Sequence, residues 1–136
     1  MLETLTPFLA LAGTGLVCAV AAVVFMVMRP GVPGNGVLVG ALSAGFASFT
    51  AVTIWAEGAL PLVMNHTSNM WGVQVWWDLL LSLSVSVFLI LPRARAAGMN
   101  VAPWVLLVIV TASIGLLAMC ARLFWLEQSH SERAAA

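Results

Sequence analysis

The stretch PFLALAGTGLVCAVAAVVFMVM, residues 7–28, decides what kind of molecule this is: it contains no Asp, Glu, Lys, Arg or His. Crossing the hydrocarbon core of a bilayer takes about 20 consecutive apolar residues, and this segment meets that length. Reading outward, Arg29-Pro30-Gly31 and Pro33-Gly34-Asn35-Gly36 form a turn that no helix tolerates. A second apolar stretch follows over residues 37–63, with Glu57 near its end and Pro61 at its exit. Asn65-His66-Thr67-Ser68-Asn69 is a short uncharged loop. The third stretch covers 71–91 and carries Asp78 in its second or third turn. Pro92-Arg93-Ala94-Arg95 through Pro103 makes the next connection, the fourth stretch covers 103–126, and a polar tail occupies 127–136. Loops this short predict an all-α membrane protein: a single four-transmembrane-helix up-down bundle over 1–126.

Composition agrees. Of 136 residues, 62% are hydrophobic and 7% charged, against about 45–50% and about 25% in soluble domains. A water-soluble enzyme and a disordered chain are excluded. Five basic residues balance five acids, so no basic face exists to hold a nucleic acid. The chain has neither Lys nor Tyr. With its many Ala, Gly and Val residues, this points to a GC-rich bacterial genome and to the bacterial cytoplasmic (inner) membrane.

The N-terminus carries Glu3 and no basic residue before the apolar run, unlike a secretory signal. Leu16-Val17-Cys18 has the outline of a lipoprotein cleavage site, but the residue before the Cys is bulky. Orientation follows the arginines. Arg29 lies in the first loop and Arg93 and Arg95 in the third, while the second loop is uncharged; only Arg133 in the tail opposes them. The expectation is loops one and three in the cytoplasm, with both termini and the His66 loop on the outer side.

Small residues repeat at four-residue intervals on the second stretch, at Gly36, Gly40, Ala44 and Ser48, and on the first at Ala10, Thr14, Cys18 and Ala22. Such ridges let helix backbones approach closely in lipid. They serve packing within the bundle, a homo-oligomer or a partner helix. On the third stretch Gln74, Asp78, Ser82 and Ser86 form a polar stripe. On the second, Thr50, Thr53 and Glu57 share a face, and on the fourth Thr111, Gly115, Ala118 and Arg122 do so.

Charged groups inside a membrane are costly, about 2.5–3.5 kcal/mol each at the centre on insertion scales. Glu57, Asp78 and Arg122 each lie near the outer end of an expected span, so they are expected to converge there. One reading is a structural ion pair, another is snorkelling to the interface. A third is functional: two acids sharing one base leave one carboxyl free to act as a general acid or as a hydrogen-bond donor to a lipid oxygen. Trp55, Trp71, Trp76, Trp77 and Trp125 gather at the same expected end, as an aromatic belt or as the lining of a ligand site.

Other signals assign nothing. Cys18 and Cys120 lie singly in different stretches, without a CxxC pattern. His66 between Met64 and Met70 has soft-ligand character but no second His nearby. No phosphate loop, Ser/His/Asp set or HExxH pattern is present. No metal and no cofactor is expected.

The second half, from Trp76-Trp77-Asp78-Leu79-Leu80 through Pro92-Arg93-Ala94-Arg95-Ala96-Ala97-Gly98-Met99-Asn100 to Gly115-Leu116-Leu117 and Arg122, resembles a family of small bacterial four-helix membrane proteins of unknown function. More distantly it is similar to plastid membrane proteins required for neoxanthin formation. Those have an Asp opening the third helix, basic residues in the next loop and a Gly-Leu-Leu stretch leading to a late Arg. The resemblance implies that Asp78, Arg93, Gly115 and Arg122 are the corresponding positions. Where the plastid proteins have a histidine before the Asp, this chain has Trp76-Trp77.

Together these features lead to the expectation of a small multi-pass membrane protein with a polar, Trp-rich pocket in the outer leaflet. Asp78 and Glu57 would supply its chemistry, and Arg122, Gln74, Trp55, Trp76 and Trp77 would bind the ligand. The ligand would be an apolar lipid such as an isoprenoid, carotenoid or quinone, bound or isomerised. The competing expectation is a non-enzymatic accessory or assembly subunit that packs on a larger membrane complex through Gly36, Gly40, Ala44 and Ser48.

Overall fold

A computed structural model describes residues 2–29 and 33–135. The chain divides into two compact units, residues 1–34 and 35–136. The described residues are helical throughout apart from short connections, and no strand occurs among them.

The first unit is one helix, α1 (Leu2–Met28). Thr14 turns its hydroxyl back onto the Ala10 carbonyl at 2.8 Å. Its polar group is thereby satisfied inside the helix and asks nothing of the bilayer.

The described residues of the second unit form five helices. In α2 (Gly36–Glu57) the Asn35 side chain caps the start, accepting from the Leu38 N–H at 3.0 Å. The helix stops at Gly58, whose φ of 81° a side-chain-bearing residue rarely adopts; its N–H returns to the Ile54 carbonyl. The expected second span, 37–63, therefore ends early. A short helix, α3 (Leu60–Thr67), begins with Pro61 in its first turn and takes in Asn65, His66 and Thr67, which the sequence suggested were loop. Asn69 caps α4 (Met70–Ala96), accepting from the Gly72 N–H at 2.8 Å. This helix runs five residues beyond the expected 91, through Pro92. Among the described residues, three helices are long and apolar enough to cross a membrane: Pro7–Met28, Gly36–Glu57 and Met70–Ala96.

The fourth expected span, 103–126, is corrected. It is broken into α5 (Val101–Thr111) and α6 (Ser113–Ala135) by Ala112, at φ 52° and ψ −119°. The chain reverses there. A Cβ added to Gly115 would lie 2.7 Å from the Leu107 carbonyl carbon and the Val108 nitrogen, a contact between residues eight apart that no continuous helix permits. Gly115 is small because the returning helix must cross the backbone it has just left.

The hairpin packs along the first half of α2, with α6 antiparallel to it. Ser43 donates its hydroxyl to the Ile114 carbonyl at 3.0 Å. A Cβ on Gly36 would come within 2.9 Å of the Ala121 carbonyl oxygen, and one on Gly40 within 3.7 Å of the Ala121 Cβ. Part of the small-residue ridge is thus used inside the chain. Met119 and Leu123 of α6 are fully buried with Ala94, Ala97, Met99 and Val108, and Leu91, Trp104 and Phe124 pack around them. Arg93 at the end of α4 makes a two-pronged ion pair with Glu127, Nε to Oε1 at 3.1 Å and Nη2 to Oε2 at 2.8 Å, over the Phe124 ring. The start of the polar tail thus lies at the Arg93 end of this unit. This corrects the expectation that the tail sits with the His66 loop, and the cause is the reversal at Ala112.

Candidate functional site

Thr50, Thr53 and Glu57 recur at i, i+3 and i+7, so they share one face near the end of α2. The Gly58–Ala59 turn lays α3 back toward that face. Together they border an open recess of about 300 Å³ lined by Phe46, Phe49, Thr50, Thr53, Ile54 and Glu57 from α2, and by Pro61, Leu62, Asn65 and His66 from α3. The Phe46 and Phe49 rings stack at 6.4 Å, with an interplanar angle of 28°.

His66 is held on two sides. Its Nδ1 faces the Leu62 carbonyl. A carbonyl oxygen only accepts, so Nδ1 carries the hydrogen, and in the neutral ring Nε2 is left as an acceptor. Its ring also lies 5.5 Å from that of Trp76 on α4, tilted by 56°. Thr53 donates to the Phe49 carbonyl at 2.9 Å, which leaves its oxygen lone pairs available. Glu57 makes no side-chain hydrogen bond or ion pair among the described residues. The cavity therefore offers a carboxyl group, an imidazole nitrogen, threonine oxygens and the Asn65 amide between aromatic walls.

The residues singled out from sequence divide. Glu57 lines this cavity, and Trp76 backs its histidine. Asp78 and Gln74 stand on the exposed side of α4, without a side-chain partner among the described residues; of their stripe only Ser86 is half-covered. Trp55, Trp71 and Trp77 are exposed. Arg122 is elsewhere. It lines a larger groove of about 680 Å³ with Gly36, Val37, Gly40, Ser43, Ala44, Ala47, Trp104, Ala118, Ala121 and Trp125. Gly40 and Glu57 are separated by about 26 Å along α2, at about 1.5 Å per residue. The expected meeting of Arg122 with Glu57 and Asp78 at one depth does not occur, because the hairpin carries Arg122 back to the Gly36 end.

Sequence reasoning passed over His66 and Asn65 as site residues because residues 65–69 read as loop. A signal was present: Pro61 in the first position or two of a helix is a start mark, and a helix from there puts Leu62 and His66 on one face. Of the small-residue ridge, Gly36 and Gly40 meet α6, while Ala44 and Ser48 remain exposed. Set against known proteins, the chain has no significant match among family models, curated proteins or solved structures.

Proposed function

We propose that this is a multi-pass membrane protein that binds the oxygen-bearing head of an apolar lipid, such as a quinone or an oxygenated isoprenoid or carotenoid, in the cavity between α2 and α3. The observation that carries the reading is the gathering of Glu57, His66, Asn65, Thr50 and Thr53 against Phe46 and Phe49 around one space. Polar groups converging in an apolar, aromatic-walled recess are the usual form of a small-molecule site. The volume narrows the ligand. About 300 Å³ is the lower end of the range for such sites, so it takes a ring-sized head while the tail lies along the apolar helices in lipid. The Asn65 amide donates to a carbonyl oxygen, and the Glu57 carboxyl and the Nε2 atom of His66 accept from a hydroxyl.

In this proposal α2 and α4 each cross the bilayer, and the α5–α6 hairpin enters and leaves on one side. Neither arm is long enough to do otherwise. Helix α5 measures about 16 Å and the apolar part of α6, to Leu126, about 21 Å, against a hydrocarbon core of about 30 Å. Arg93, Arg95 and the tail's Arg133 then share a face, which the positive-inside bias makes cytoplasmic. The Glu57 cavity lies toward the outer leaflet of a bacterial cytoplasmic membrane.

The test is titration of the purified protein in lipid nanodiscs with a short-chain ubiquinone analogue and its quinol, read as quenching of tryptophan fluorescence. Asn65→Ala is expected to weaken binding of the quinone, and Glu57→Ala and His66→Ala that of its reduced quinol, each about tenfold, the loss of one well-placed hydrogen bond of about 1.4 kcal/mol. Asp78→Asn is expected to bind as the parent does. Equal binding by all variants, or none by the parent, overturns the reading. A second reading, an accessory subunit of a membrane complex, is favoured by the uncovered part of the ridge: a Cβ on Gly45 meets nothing within 4 Å, and Ala44 and Ser48 are exposed. There Gly45→Leu releases a co-purifying partner and leaves quinone binding intact.

A further inference from the structure

At the other end of α2, away from the Glu57 cavity, the 680 Å³ groove has a different chemistry. Its floor is built from Gly36, Gly40, Ala44, Ala47, Ala118 and Ala121, none with a side chain larger than a methyl group. Trp104 and Trp125 also line it, and Arg122 is its one charged group. The two nearby arginines on packed helices differ in how they are satisfied. Arg93 spends its guanidinium on Glu127. Arg122 has no acid, carbonyl or hydroxyl partner among the described residues.

We infer that this groove holds an anionic glycerophospholipid, with its headgroup on Arg122 and one acyl chain along the small-residue floor. Position supports the headgroup. Arg122 lies one turn inside Trp125 and Glu127 on α6, the depth at which an arginine reaches the interfacial phosphates and indoles sit among the glycerol esters. Orientation supports the chain. From Gly36 to Ala47 the groove follows a membrane-crossing helix for about 16 Å, parallel to the lipid tails. Charge decides between occupants. A neutral apolar partner helix seated here would cover an arginine without an acid to meet it, a costly burial. A phosphate with net negative charge supplies the missing counter-ion, and basic recesses between helices on the arginine-rich side of a membrane favour such lipids.

The experiment is native mass spectrometry of the full chain released from mixed micelles holding equal amounts of dioleoyl phosphatidylglycerol and dioleoyl phosphatidylcholine. The parent is expected to retain the glycerol lipid about fivefold over the choline lipid, the effect of one basic group near the surface. Arg122→Gln abolishes the preference while still retaining lipid, and Arg122→Lys keeps it. Ala44→Phe, which fills the groove from an exposed position, loses retained lipid altogether. Arg95→Gln, on the same end but outside the groove, keeps the preference, as does Glu57→Gln in the distant cavity. The inference is overturned by any of four results: no preference in the parent, a preference that survives Arg122→Gln, an equal loss in Arg95→Gln, or a protein chain in place of lipid. If Arg122→Gln does not fold, the contrast between Ala44→Phe and Arg95→Gln decides.

Discussion

At the Arg93 end of residues 35–136, Met119 and Leu123 are 0% and 1% exposed; at the Glu57 end, Trp55 and Trp71 are 87% and 76% exposed. Both ends are apolar, so hydrophobicity does not distinguish them. In lipid a leucine gains little by leaving the tails for the protein, and helices associate through close packing instead. One half has the means for it. Gly36, Gly40 and Gly115 remove the side chains that would hold backbones apart, and Ser43 ties α2 to the turn of the hairpin. In the other half Gly72 lets α4 approach the α3 backbone at Asn65 and His66, but α2 presents Phe46 and Phe49 where a close approach to α3 would need glycine or alanine, and a recess remains between those two helices. Small residues bring helix pairs together in both halves, and the large ones on α2 leave room for a ligand.

That contrast can be broken most severely at Gly115. Leucine there must enter the Leu107–Val108 backbone, and a loss of about 3 kcal/mol or more is expected, seen as the disappearance of monodisperse protein in size-exclusion chromatography. Truncation sharpens the comparison. Met119→Ala is expected to cost about 2 kcal/mol through the void it leaves, whereas Trp55→Ala stays within about 0.5 kcal/mol. Thermal unfolding in detergent measures both, and equal costs would abolish the distinction between the halves.

Ala112→Gly tests the reversal by its sign. At a positive φ with ψ near −119°, glycine relieves strain and is expected to stabilise the fold by about 1 kcal/mol. In an unbroken fourth span the same change would destabilise by about 1 kcal/mol. The smallest expected effect is at the ion pair. Glu127→Gln costs up to about 1 kcal/mol, because the pair is half-exposed. The charge-swapped double variant, Arg93→Glu with Glu127→Arg, recovers most of it in the same melting assay.

Much of the fold was legible in the residues. The turn ending near Asn35 and the loop ending at Asn69 place the starts of α2 and α4 to within a residue or two, and of the four apolar runs read as spans three are helices of membrane length. Of the candidate site, the shared face of Thr50, Thr53 and Glu57 follows from the helical period alone, and the structure places all three on one cavity. Asp78 drew equal weight in the sequence, because a carboxylate in an apolar run reads the same whether it faces a neighbouring helix or lies on an open flank. Periodicity says which residues share a face; it does not say what that face meets.

What the sequence determined by itself is therefore local: apolar length, the approximate helix starts and the helix face on which each polar group lies. Each depends on neighbours within one or two helical turns. The tertiary structure decided the reversal at Ala112, and with it the positions of Arg122 and the tail. Alanine is the strongest helix former, so nothing in its neighbourhood announces a break. The break goes with contacts far apart in the chain: Ser43 with Ile114, Gly36 with Ala121, Arg93 with Glu127. These form only when the hairpin folds back along α2, and their sum outweighs a preference that acts on one residue at a time.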